Sequence, residues 1–102
     1  MITDNEEVIA SANFVHKGVS GIIAFYLPKR KWSDGQEFAC RFSIESGDLH
    51  HTNEYIGYDS MQAIILALCG AGLFMNESDE IDQSAIEWPG GTPAFPQFEN
   101  AT

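Results

Sequence analysis

Between Asp59 and Glu77 the chain carries no charged residue, although its formal net charge is -10 over 102 residues. An amphipathic surface helix needs one apolar stripe with a polar face opposite. The run "YDSMQAIILALCGAGLFMN" (58–76) has no polar stripe. A helix of this kind has to be covered on more than one side, by a sheet, by another segment or by another molecule. The uncharged stretch is shorter than the roughly 20 apolar residues of a membrane span. It also holds Gly70 and Gly72 and reads as a buried helix, so no membrane is expected.

Local chemistry sets where that helix starts. Asp59 stands at a capping position with Gln62 three residues on, a D-x-x-Q variant of the capping box, and Ser60 opens the helix. The helix is expected from Ser60 to about Met75. Met61, Ile64, Ile65, Leu68 and Gly72 form one stripe; Ala63, Ala67, Gly70, Ala71 and Phe74 form a second with mostly small side chains. The bulky stripe is expected on the sheet, where full burial contributes about 1.5 to 3 kcal/mol per large side chain. The small stripe suits a closely approaching backbone. Gly70 and Gly72 each cost up to about 1 kcal/mol relative to Ala in a helix and so need a packing reason.

The first half of the chain reads as strands. "VIASANFVH" (8–16) and "GIIAFYLP" (21–28) suggest a hairpin turning at Lys17 and Gly18. "EFACRFSIE" (37–45) alternates, with Phe38, Cys40, Phe42 and Ile44 on one face and Ala39, Arg41, Ser43 and Glu45 on the other. After a turn at "SGD", "LHHTNEYIG" (49–57) reads as a fourth strand, and a short strand around "AIEW" is possible after the helix. The fold class expected is therefore α+β: a four- to five-stranded antiparallel meander with one long helix on one face, in the order β-β-β-β-α-(β). One domain spans 1–102, and residues 89–102, with Pro93, Pro96, Phe95 and Phe98, form an extended tail that is the first candidate to cover the helix. Residues 22–27 of the second strand are apolar on both faces, where a half-exposed antiparallel strand should alternate. One tail can hardly cover both the helix and the back of the sheet, so a second copy or a partner protein is expected on one of them.

Charge narrows the partners. The balance of 15 acidic to 5 basic residues argues against nucleic acid, whose phosphates require clustered Lys and Arg. It favours cations or a basic protein partner instead. Lys29, Arg30 and Lys31 lie in the longest link, 28–36, punctuated by Pro28 and Asp34-Gly35, and read as solvated charges at a hairpin tip. The acidic start "MITDNEEVIA" is unlike an export signal, and Cys40 and Cys69 read as buried thiols, so a cytoplasmic setting is expected.

No residue set announces catalysis or a cofactor. His50 and His51 point to opposite faces of a strand, and His50 to Glu54 spans about 13 Å, so these residues do not form a metal site. Residues 76–87 have the length of a calcium loop, but Ile81 stands where Gly is required. "YDSMQ" lacks the glycines of a nucleophile elbow. Gly70 and Gly72 lie inside the helix and form no dinucleotide fingerprint. His16 reads as a surface or hairpin residue, and Trp88 as a lid on one end of the core.

The run "IGYDSMQAIILAL" (56–68), with the acidic stretch, "EWPGG" and the Pro-containing tail after it, resembles a family of small uncharacterised bacterial domains. The likeness spans roughly residues 8 to 96 and rests on Gly57, Asp59, Ser60, Gln62 and Ala63. It implies a strand-rich sheet with one long helix and transfers no catalytic residue.

The function expected is noncatalytic protein contact, in its most concrete form an immunity or antitoxin-type protein that blocks a basic effector. Glu77, Asp79, Glu80 and Asp82 are the expected contact residues. One alternative is a small enzyme or ligand-binding domain with a pocket between helix and sheet, using Asp59, Ser60, His51 and Tyr55. Another is a homodimeric structural domain.

Overall fold

The computed structural model describes residues 6–32 and 35–98. The first residues of the acidic start, Asp34 of the expected Asp34-Gly35 turn, and residues 99–102 of the tail lie outside the described residues. Six strands and one long helix follow in the order β1 (Val8–His16), β2 (Val19–Tyr26), β3 (Lys29–Arg30), β4 (Phe38–Ser46), β5 (Leu49–Gly57), α1 (Ser60–Glu77) and β6 (Ile86–Glu87).

All pairings are antiparallel. The strands β1, β2, β4 and β5 form the meander, and β6 returns after the helix to pair with β1 through Val15–Glu87 and His16–Ile86. The β1–β2 hairpin closes on two residues with left-handed backbone, Lys17 at φ 54° and Gly18 at φ 80°, which matches the twist of the flanking strands. The β4–β5 hairpin closes at Gly47 (φ 57°) and Asp48. Lys29 and Arg30 are not a hairpin tip. They form β3, which pairs with Ala39 and Phe38 on the same side of β4 that β2 occupies farther along. Their pairing is made by backbone, which is why side-chain alternation gives no sign of it.

One face of the sheet carries the core. Ile23, Phe25, Cys40, Phe42 and Ile44 are buried there beneath α1, with Phe14 of β1 and Ile81 from the segment after the helix. The helix presents its small row to the sheet, contrary to the expectation for its bulky stripe. Ala63, Ala67, Ala71 and Met75, four residues apart, are at most 1% exposed. Met61 of the bulky stripe is 70% exposed. Size matching explains the inversion. The sheet contributes rings and branched side chains, and close-packed interiors fill such a surface with small partners opposite.

The two helical glycines admit aromatic rings from different directions. A Cβ on Gly70 would lie 2.5 Å from Cζ of Tyr55 on β5, and one on Gly72 would lie 2.7 Å from Cγ of Phe95 in the tail. The tail therefore lies on the outer side of α1, with Phe98 5.6 Å from the Tyr55 ring. Trp88 packs 5.6 Å from Phe14 at one end of the core. The 18 residues of α1 make it long and apolar enough to cross a membrane by length and composition. Within this fold its alanine row is used against the sheet.

No second layer covers the other face of the sheet among the described residues. Side chains shield part of it. The Arg41 guanidinium lies 4.3 Å above the Tyr26 ring and pairs with the Glu6 carboxylate, and the Tyr26 and Ser43 hydroxyls are 3.1 Å apart. Ala24 and Ser43 are buried beneath them, while Ile22 remains 40% exposed.

Candidate functional site

The sequence-derived candidates fall into three places. At the start of α1, Asp59 Oδ1 accepts the Gln62 N–H at 2.7 Å, and Gln62 Oε1 accepts the Tyr58 N–H at 2.7 Å. This reciprocal cap satisfies donors that the first helical turn leaves open. Ser60 is exposed there. Gln62 also borders a shallow depression with Glu37, Ile56 and Tyr58. The cap is thus an anchoring device, at the opposite end of the helix from His51.

Along the outer side of β5 runs a groove against α1, lined by His51, Asn53, Tyr55, Leu73, Phe74 and Glu77. His51 stacks on Phe74 with centroids 4.0 Å apart and planes 11° apart. Tyr55 is held between Phe42, at 6.2 Å and nearly parallel, and Phe98. His51 and Tyr55 are therefore brought together, whereas Asp59 and Ser60 are not part of their surroundings. His50 faces the other side of the sheet, 3.6 Å from Glu45, as strand alternation requires.

The third place is the end of the sheet where both hairpins turn. Asp79 and Glu80 border a cleft with Asp48 and Gly47 from the β4–β5 turn and with His16 and Lys17 from the β1–β2 turn. Glu77 ends α1, whose last turn has no basic residue, so the negative end of the helix dipole adds to these carboxylates. The segment is anchored. Ile81 is 5% exposed in the core, and the Asp82 N–H donates to His16 Nε2 at 2.9 Å. His16 is accordingly buried, at 7% exposed; of the surface or hairpin places expected for it, the structure gives the hairpin one, at the last residue of β1. Asp82 caps the short 3-10 turn Gln83–Ala85, accepting from the Ser84 N–H and hydroxyl, and these hydrogen bonds hold its carboxyl below the usual 3.8.

Basic residues gather at the other end. Lys29, Arg30 and Lys31 lie beside the start of β4, where α1 begins. Arg30 donates to the Gly35 carbonyl at 2.7 Å and Lys31 pairs with Glu54 at 2.8 Å. Cys40 and Cys69 are free thiols at 0% and 1% exposure. Burial pushes the Cys40 thiol up from 9.0 to about 11 and raises that of Cys69 as well. Among the described residues, no three His, Cys, Asp or Glu side chains are grouped to hold a metal ion.

What sequence reasoning missed here is the role of His16 and Asp48 at the acidic end. Neither has a local signal, because their partners come from segments far along the chain. No curated protein and no solved structure matches this chain. A family model described as "Domain of unknown function (DUF6968)" matches residues 16–97. That match takes in most of the sheet, the whole of α1 and the tail to Gln97, and the chain belongs to this family of unknown function.

Proposed function

We propose that this domain is a noncatalytic protein-contact module whose acidic end receives a basic partner, in the manner of an immunity or antitoxin-type inhibitor of a basic effector. The observation that carries the reading is the meeting of Asp79 and Glu80 with Asp48 at one cleft just past Glu77, the last residue of α1, on a segment fixed by Ile81 and by the Asp82–His16 hydrogen bond. Fixed carboxylates at the negative pole of a helix favour cationic side chains and raise the rate of encounter with a basic surface. A bacterial and cytoplasmic setting is part of the proposal. It is supported by the family resemblance and by two buried free thiols, which suit a reducing compartment.

The test is charge reversal. A triple variant with Glu77→Lys, Asp79→Lys and Glu80→Lys, and a quadruple variant adding Asp82→Lys, are compared with the wild type for binding to each purified partner. Loss of binding with an unchanged circular dichroism spectrum supports the reading. Wild-type affinity for every partner in both variants overturns it.

A ligand pocket between helix and sheet is the second reading, favoured by the stacking of His51 on Phe74 beside Tyr55. A small molecule retained in native mass spectra and lost on Tyr55→Ala would support it.

A further inference from the structure

We infer that β5 is an interface strand, and that its occupant is the β5 strand of a second copy, paired antiparallel about a twofold axis at Thr52. This inference does not rest on the acidic-end reading.

The direction of the backbone carries the first step. The Lys31 N–H donates to the Glu37 carbonyl at 2.8 Å on the β3 side of β4. Backbone groups of successive residues point to opposite sides of a strand. Phe38, Cys40, Phe42, Ile44 and Ser46 therefore turn their backbone groups toward β5, where their partners are Gly57, Tyr55, Asn53, His51 and Leu49. The groups of His50, Thr52, Glu54 and Ile56 point outward. The Glu54 N–H confirms this, since it donates to the Asn53 side chain at 2.9 Å.

Edges of this length are usually blunted by charged side chains, proline, a bulge or a covering segment, and the one carboxylate of β5, Glu54, is here paired with Lys31. The nine residues of β5 contain no proline, and their register with β4 is unbroken. Among the described residues no strand pairs with the outer side, and the Glu54 N–H exchanges its Asn53 side-chain acceptor for the second copy's backbone when the seam forms.

The sequence of the strand then selects a second copy over a foreign peptide. Twofold antiparallel pairing centred on the outward-pointing Thr52 sets Thr52 opposite Thr52, a favourable cross-strand pair. His50 of each copy falls opposite Glu54 of the other, and Leu49 opposite Tyr55. Glu45 already lies beside His50, and Lys31 beside Glu54. The seam would therefore carry, on the face away from the helix, an alternating row of Glu45, His50, the second copy's Glu54 and the second copy's Lys31, twice over. On the helical face the same operation brings the two His51–Phe74 grooves and the 46% exposed Leu73 of each α1 toward one another. Such a contact is isologous and closes on itself.

The test is sedimentation equilibrium of the full chain. The wild type is expected to be a concentration-dependent dimer. Thr52→Pro removes an outward N–H at an edge position that tolerates proline and is expected to leave a folded monomer. His50→Glu alone places like charges across the seam, and Glu54→Lys alone removes the carboxylate opposite His50; each is expected to weaken self-association several-fold. Mixing those two variants sets a carboxylate opposite an ammonium at one pair and keeps the native His50–Glu54 pair at the other, and is expected to give a heterodimer tighter than either homodimer. A wild type that stays monomeric at high concentration overturns the inference, and so does a Thr52→Pro variant that dimerises like the wild type.

Discussion

The backbone of Gly70 lies against the ring of Tyr55 so closely that an added Cβ would stand 2.5 Å from Cζ and 2.6 Å from the hydroxyl oxygen. Tyr55 cannot easily give way, because Phe42 and Phe98 hold the ring from two sides. Gly70→Ala gains about 1 kcal/mol of helix propensity but overpacks this contact, which costs about 1 to 3 kcal/mol. The expected net result is a lower urea midpoint. Tyr55→Leu in the same chain should cancel the overpacking, so that Gly70→Ala becomes neutral or stabilising in that background.

The cap of α1 makes a second prediction. Asp59→Ala removes the acceptor for the Gln62 N–H and should cost about 1 kcal/mol. Gln62→Ala releases the Tyr58 N–H, and the two substitutions should be less than additive, because they dismantle one reciprocal device. Thermal denaturation of the two single variants and the double variant measures the coupling.

Cys40 sets an alkaline limit. Its Sγ lies 3.4 Å from the Tyr26 carbonyl in a fully buried position, and burial raises its pKa from 9.0 to about 11. The unfolded chain releases this proton first, so over that interval the folded state holds more protons and stability falls as pH rises. The contribution is intact below 9.0 and is lost progressively toward about 11. Cys40→Ala leaves a small cavity but removes the titration. The stability advantage of the wild type over this variant should be constant near neutrality and shrink through the alkaline interval, as read by urea denaturation at a series of pH values.

Much of the architecture was legible because its causes are local. Alternation from Phe38 to Glu45 marks β4, the Lys17-Gly18 pair marks a hairpin, and Asp59 with Gln62 marks where α1 begins. The face of α1 that meets the sheet was not legible, because it depends on the size of Phe42, Ile44 and Tyr55, which come from other strands. The acidic run from Glu77 to Asp82 could be read directly as charge. Its rigidity could not, since Ile81 in the core and His16, 66 residues before Asp82, supply the anchors.

That anchor is itself testable. The Asp82 N–H has His16 Nε2 as its acceptor in a buried setting, and an amide left unpaired there costs about 1 to 3 kcal/mol. His16→Leu should destabilise the protein by that order, and His16→Gln, which keeps an acceptor, should recover part of it. Stability alone does not separate a lost hydrogen bond from altered packing. Hydrogen exchange does, because His16→Leu should accelerate exchange at the Asp82 amide far more than in the centre of α1. Asp82 adds an acid-side dependence of known sign. Its carboxyl titrates below the usual 3.8 through its hydrogen bonds to Ser84, so its contribution is present above that value and is lost as pH falls through the lowered pKa. Ser84→Ala removes the hydroxyl donor and should weaken that dependence while leaving the His16 link in place. If the acidic segment meets its partner as a fixed surface, His16→Leu should also slow association with a basic partner, although every carboxylate of the segment is kept. Stopped-flow binding at constant ionic strength measures that rate.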